Sequence, residues 1–159
     1  MAVLAATYYR FPSRSLHVIG ITGTKGKTTT TNLIAGVLSE AGYKVGMTST
    51  VLFQVGNFKW TNTSKITTLG PFFLQKLLRQ MVDEGCFYAV LEVSSHSLLQ
   101  SRVWGINFDT AVFTNIGEDH LDYHGTVEEY FAAKRRLFSE LLPAGGASVL
   151  NADDARFAE

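Results

Sequence analysis

A chain of 159 residues with 46% hydrophobic content can bury one real core, and its 14 basic and 14 acidic residues cancel, which argues against nucleic acid or a membrane surface as partner. The single cysteine, Cys86, excludes an internal disulfide framework and a cysteine metal site. The apolar stretch at residues 2–6 follows no basic region and is too short for a signal peptide or a span, so a cytoplasmic location is expected.

Residues 1–15, with Arg10, Pro12, Ser13 and Arg14, read as a leading segment, and residues 16–159 as a single domain. Residues 16–21 form a short apolar strand, and residues 22–28 are rich in Gly and Thr. Residues 29–41 carry helical spacing through Leu33, Ile34, Val37 and Leu38, with Gly42 as the stop. Residues 44–50 suit a second strand, and residues 51–60 alternate around Gly56-Asn57 as a β-hairpin does. Pro71 belongs in the first turn of a helix whose apolar face is Leu74, Leu77, Leu78 and Met81. Buried-type strands are expected at residues 87–93 and 109–114. Thr126 followed by Glu129 is a capping-box signal for a helix running through Tyr130, Ala133, Leu137 and Leu141 to Pro143, with a last strand at residues 145–150. Strands alternating with helices predict an α/β domain with a mainly parallel sheet flanked by helices.

The richest chemistry lies in Gly20-Ile-Thr-Gly-Thr-Lys-Gly-Lys-Thr28. Glycines let a loop curl so that several N–H groups point into one concavity, and the helix that follows presents its positive end there. Lys27 can then reach β/γ-phosphates and the Thr28 hydroxyl can ligate Mg²⁺. The generic P-loop pattern wants glycine where this chain has Ile21, so the match is to a variant in which Gly23 turns the chain; the competing reading is a Gly-rich turn that binds nothing. Glu92 ends an apolar strand, where a carboxylate faces the crevice at the sheet's carboxyl edge and either holds Mg²⁺ or caps the next turn. Asp119-His120 sits on a loop at the same edge. His17 and His124 are read as structural, and His96 stays open between a structural and a functional role.

Four segments, Thr22-Gly-Thr-Lys-Gly-Lys-Thr28, Glu92-Val-Ser-Ser-His96, Phe113-Thr-Asn-Ile-Gly-Glu-Asp-His-Leu-Asp-Tyr-His-Gly125 and Tyr130-Phe-Ala-Ala-Lys134, resemble the Mur ligase family, and within it the tripeptide synthetases acting on UDP-N-acetylmuramoyl-L-alanyl-D-glutamate. Each is weak alone, and the ordered set is specific. The resemblance implies a P-loop NTPase-like central ATP-binding domain, incomplete at its C-terminus, with UDP-binding and amino-acid-binding domains lying outside these residues. It implies ATP and Mg²⁺ as cofactors and the UDP-MurNAc-dipeptide and an amino acid as partners. Gly23, Thr24, Lys25, Gly26, Lys27, Thr28 and Thr29 would bind ATP phosphates, and Asn115 would line the nucleotide site. Thr28 and Glu92 would hold one Mg²⁺, while Glu92, His120 and a carbamylated Lys134 would organise a second. Thr67, Thr68, Ser94, Gln100 and Arg102 would contact the muramoyl dipeptide; a guanidinium such as that of Arg102 suits an anionic substrate.

The sequence departs from the family at Lys25, where Asn is usual, and at Ile66-Thr67-Thr68-Leu69, which replaces Asn-Thr-Thr-Pro. The expected activity is an ATP-dependent carboxylate–amine ligase working through an acyl phosphate, with Lys27, His120 and Lys134 as its catalytic set. These 159 residues alone are expected not to ligate. Two other readings stand beside it: a nucleotide-binding module without ligase activity, and an unrelated P-loop hydrolase using water as acceptor.

Overall fold

The computed structural model describes residues 1–117, 119 and 121–156. Its order is α1 (Ala2–Tyr8), a 3₁₀ turn at Pro12–Ser15, β1 (His17–Thr22), α2 (Lys27–Glu40), β2 (Val45–Thr48), β3 (Leu52–Val55), β4 (Phe58–Thr61), α3 (Pro71–Asp83), β5 (Tyr88–Glu92), α4 (Ser95–Leu99), β6 (Thr110–Phe113), α5 (Leu121–His124), α6 (Val127–Arg136), a wider π-type turn at Leu137–Leu141, and β7 (Ala147–Leu150).

The strands form one sheet in the order β4-β3-β2-β5-β1-β6-β7. The five strands from β2 to β7 run parallel, and the β3–β4 hairpin adds an antiparallel edge through Gly46 opposite Val55. β1 is the middle one of the five parallel strands, with Ile21 level with Glu92 of β5 and Val112 of β6. Parallel pairing needs crossovers, and these helices cover both faces, so the strands are apolar on both sides. Val18, Ala89 and Leu91 enter one core with Leu74, Leu78, Met81 and Phe108; Ile21 and Val90, pointing the other way, pack with Ala35 and Met47.

The hairpin turns at Gly56-Asn57 and the α3 face is Leu74, Leu77, Leu78 and Met81, as the pattern predicts. Thr126 Oγ1 caps α6 by accepting from Glu129 N at 3.1 Å. Three expectations change. The leading segment folds into α1, whose Ala2, Ala5 and Ala6 are buried and which packs on α3. α2 begins two residues earlier than the spacing suggested, so Lys27 and Thr28 are helical. Its inner face is Thr31 and Ala35, with Ile34 and Leu38 partly buried, while Leu33 and Val37 are 64% and 68% exposed. The phosphate loop fixes where the helix starts, and that start sets its rotation against the sheet.

Candidate active site

The loops after β1, β5 and β6 meet at the carboxyl edge of the sheet, where open α/β sheets bind ligands. β1 runs into the loop at residues 23–26. Gly23 has φ +146°, and a Cβ there would strike the Thr114 hydroxyl; Gly26 has φ +81° and caps α2. Both conformations favour glycine, which is why Gly23 can do the turning that the usual earlier glycine does elsewhere. Lys27 Nζ reaches back across the loop and donates to Gly23 O at 3.0 Å and Thr24 O at 2.9 Å. Burial lowers its pKa, against the opposing pull of Glu92 and Asp119.

Glu92, at the end of β5 and 2% exposed, faces the first turn of α2. The Thr28 hydroxyl shares its proton between the two Glu92 oxygens, each 3.0 Å away. Glu92 also accepts from Thr50 N at 2.8 Å and from Thr50 Oγ1 at 3.1 Å. Thr50 is absent from the sequence reading, although the polar run Thr48-Ser49-Thr50 at the end of a buried strand points to this edge: Thr48 is level with Leu91, one residue before Glu92. A hydroxyl and a carboxylate are hard oxygen donors of the kind Mg²⁺ takes when phosphates and waters complete its shell, so Thr28 and Glu92 fit that ion. Among the described residues no cluster of three or more His, Cys, Asp or Glu forms a ready-made cage.

Lys134, on α6, is 1% exposed. Its Nζ donates to Gly23 O at 2.6 Å and lies 4.1 Å from the centre of the Tyr130 ring. Burial first, and the nearby Lys27 charge second, lower its pKa to about 7, with Asp119 opposing. The structure therefore joins Lys134 to the phosphate loop itself. His120 lies outside the described residues. Lys25, within the loop, and Thr29, in the first turn of α2, are exposed. Asn115 clamps the Lys25 backbone: its Oδ1 accepts from Lys25 N and its Nδ2 donates to Lys25 O, both at 3.0 Å.

Of the residues tied to a dipeptide, Thr67, Thr68 and Ser94 lie beside Glu92 and Arg102 joins them through Thr68, while Gln100 bonds elsewhere. Thr67 Oγ1 is 2.9 Å from Thr50 Oγ1, one step from the carboxylate. The Thr68 hydroxyl is buried, donating to Glu92 O at 3.1 Å and accepting from Ser94 N at 3.0 Å, so it fixes the strand exit. Ser94 caps α4 by accepting from Ser97 N at 3.2 Å. Arg102 Nη1 donates to Thr68 O at 3.1 Å, and Gln100 Nε2 to the Tyr123 hydroxyl at 3.1 Å. Gln100 and Arg102 border a cavity of ≈ 490 Å³ between α1 and the start of α3. His96 stacks on Tyr123 with ring centres 4.2 Å apart. His17 packs on Phe87 at the opposite end of β1, and buried His124 lies 2.9 Å from Ser95 Oγ, so both occupy structural settings.

A glycine-bent loop running from the middle one of five parallel strands into a helix N-terminus, with an acid from the neighbouring strand meeting the threonine in the helix's first turn, defines a P-loop-type α/β domain. The chain belongs to the Mur ligase family: the Mur ligase middle domain matches residues 21–159. It is 50% identical over 141 residues to the UDP-N-acetylmuramoyl-L-alanyl-D-glutamate--2,6-diaminopimelate ligase of Geobacillus thermodenitrificans, covering 89% of this chain and 28% of that protein. The enzyme of the same name from Chlorobium phaeobacteroides is 47% identical over 159 residues, covering 100% and 30%. A solved structure of a ligase of this name superposes with TM-score 0.78 at 36% identity, covering 97% of this chain and 31% of that one. The chain thus spans about 30% of the length of its curated relatives. Among the described residues no helix is long and apolar enough to cross a membrane.

Proposed function

We propose that this domain binds Mg·ATP at residues 23–29 and serves as the phosphoryl-transfer centre of a peptidoglycan-precursor ligase. The substrate would be a UDP-N-acetylmuramoyl-L-alanyl-D-glutamate carboxylate, and the relatives' names point to 2,6-diaminopimelate as the incoming amine. The observation that carries this reading is the meeting of Lys27, Thr28 and Glu92 at the mouth of one loop within a Mur ligase middle domain.

In this reading the N–H groups at the start of α2 hold phosphate oxygens, and Lys27 exchanges its two loop carbonyls for the β/γ-phosphates. Thr28 and Glu92 would hold Mg²⁺, and the ion would supply neutralisation of the phosphate charge. The γ-phosphoryl passes to the substrate carboxylate, giving an acyl phosphate and ADP. The amine then attacks the acyl carbon, loses a proton, and inorganic phosphate leaves as the amide forms. The chain contributes positioning and electrostatics to this sequence. Arg102 and the Thr67–Ser94 group, placed beside Glu92, would orient the dipeptide carboxylate. A lysine whose amine is neutral near pH 7 can take up CO₂, so Lys134 suits the carbamate that the family resemblance implies.

The test is calorimetric titration of the chain with ATP and Mg²⁺. Lys27→Ala should weaken binding by about 2 kcal/mol, the worth of a charge-assisted bond to phosphate. Equal affinity in both proteins would overturn the assignment.

A further inference from the structure

We propose that Asn151 and Asp154 are positioning residues for the nucleotide site, acting at one remove: they hold residues 114–117, and residues 114–117 hold the phosphate loop. The proposal rests on the reading of that loop as the ATP site.

The ladder explains why such a device is needed. β6 and β7 pair in parallel up to Phe113 opposite Leu150, after which the chain beyond β7 turns away. Residues 114–117 therefore continue past the end of their partner strand, with backbone groups that a ladder would otherwise satisfy. Two side chains take them instead. Asn151 Nδ2 donates to Thr114 O at 2.8 Å, and Asp154 Oδ2 accepts from Ile116 N at 2.7 Å. Both side chains are themselves braced, since Asn151 Oδ1 accepts from Asp153 N and Asp154 Oδ1 from Arg156 N, each at 3.1 Å.

The other side of the same segment is joined to the loop. Asn115 O accepts from Thr24 N at 2.9 Å, and Gly117 N donates to Thr24 Oγ1 at 3.0 Å. Thr114 Oγ1 donates to Lys25 O at 2.7 Å, and the Asn115 amide grips Lys25 N and O. A loop built on Gly23 and Gly26 loses much conformational freedom when it closes round a phosphate, and a scaffold that orders it beforehand lowers that cost. The turn after β7 supplies that scaffold from a different part of the sequence.

The experiment uses the 159-residue chain, with ATP and MgCl₂ as the ligand. Asp154→Ala should weaken ATP binding severalfold, with about tenfold as the ceiling, because the bond it removes is to Ile116 N rather than to ATP and counts only through the ordering of the loop. Amide exchange at Thr24, Lys25 and Gly117 should speed up, while Val90 and Leu91 in β5 keep their protection. Asp154→Asn keeps an oxygen able to accept from Ile116 N and should recover most of the affinity. Asn151→Ala tests the same clamp should Asp154→Ala fail to fold. Unchanged exchange at Thr24 and Lys25 in both alanine variants overturns the proposal. So does a loss of affinity that Asp154→Asn does not restore, or one accompanied by equally faster exchange in β5. If the unsubstituted chain binds no ATP, the nucleotide reading falls, and the exchange measurements still decide whether the clamp exists.

Discussion

Replacing Glu92 by Gln separates a metal-holding role from a structural one. The carboxylate is 2% exposed and receives Thr28 Oγ1 at 3.0 Å to each oxygen, Thr50 N at 2.8 Å and Thr50 Oγ1 at 3.1 Å. Glutamine has the same shape. Its oxygen can keep the Thr50 N–H, and its NH₂ then faces the Thr28 and Thr50 hydroxyls, which can rotate to accept. Stability should therefore change by no more than about 1 kcal/mol. The anionic ligand for Mg²⁺ is lost, so ATP affinity in the presence of Mg²⁺ should fall by about 2 kcal/mol, roughly 30-fold, with little change in its absence. Calorimetry with and without Mg²⁺, beside thermal melts, reads both quantities. Glu92→Ala is the contrast: it leaves the Thr50 N–H without its acceptor and should cost about 1–3 kcal/mol of stability. If Glu92→Gln keeps the full Mg²⁺ enhancement of ATP binding, Glu92 is a cap for the Thr50 turn and the metal reading is wrong.

Thr126→Ala removes the cap of α6 and should lower stability by about 1 kcal/mol in urea unfolding, while Thr126→Ser should be near neutral. Lys134 has a folded-state pKa of about 7 against an ordinary 10.5, so between those values the unfolded chain holds a proton that the folded chain has shed. Its contribution to stability accordingly rises with pH across that window, by at most about 1.4 kcal/mol per unit; Lys134→Met should flatten the rise measured by urea unfolding from about pH 7 to 9, and an unchanged slope would rule out the buried neutral amine. Incubated with ATP, Mg²⁺, UDP-muramoyl dipeptide and 2,6-diaminopimelate, the 159-residue polypeptide should yield no tripeptide, because it spans only about 30% of its relatives; product detected by mass spectrometry would refute that division of labour.

What could be read from the sequence divides along a physical line. The phosphate loop, the α3 face and the α6 cap are local: each is specified by residues within a few positions of one another, so periodicity, glycines and a Thr–Glu spacing suffice to find them. Glu92 was legible for a related reason, since a charged residue closing an apolar strand has few settings open to it. The misreading of α2 shows where local rules stop. Leu33 and Val37 carry the more apolar side chains, yet Thr31 and Ala35 face the sheet. The loop at its N-terminus holds the helix in one rotation, and an anchor of that kind has no signature in hydrophobic spacing. The supports of the site were least visible. Thr50 meets Glu92 across 42 residues, and Asp154 meets Ile116 across 38, so neither contact exists until the sheet order β2-β5-β1-β6-β7 is set. Parallel order thus does more than align the loops: it brings the exit of each strand level with the exit of its neighbour, so a polar residue just past one strand can reach a backbone or side-chain group at the exit of the next. Asn151 past β7 serves Thr114 past β6, and Thr50 past β2 serves Glu92 at the end of β5. A polar residue one to four positions beyond a buried parallel strand is therefore a candidate support for the site, even where no motif contains it.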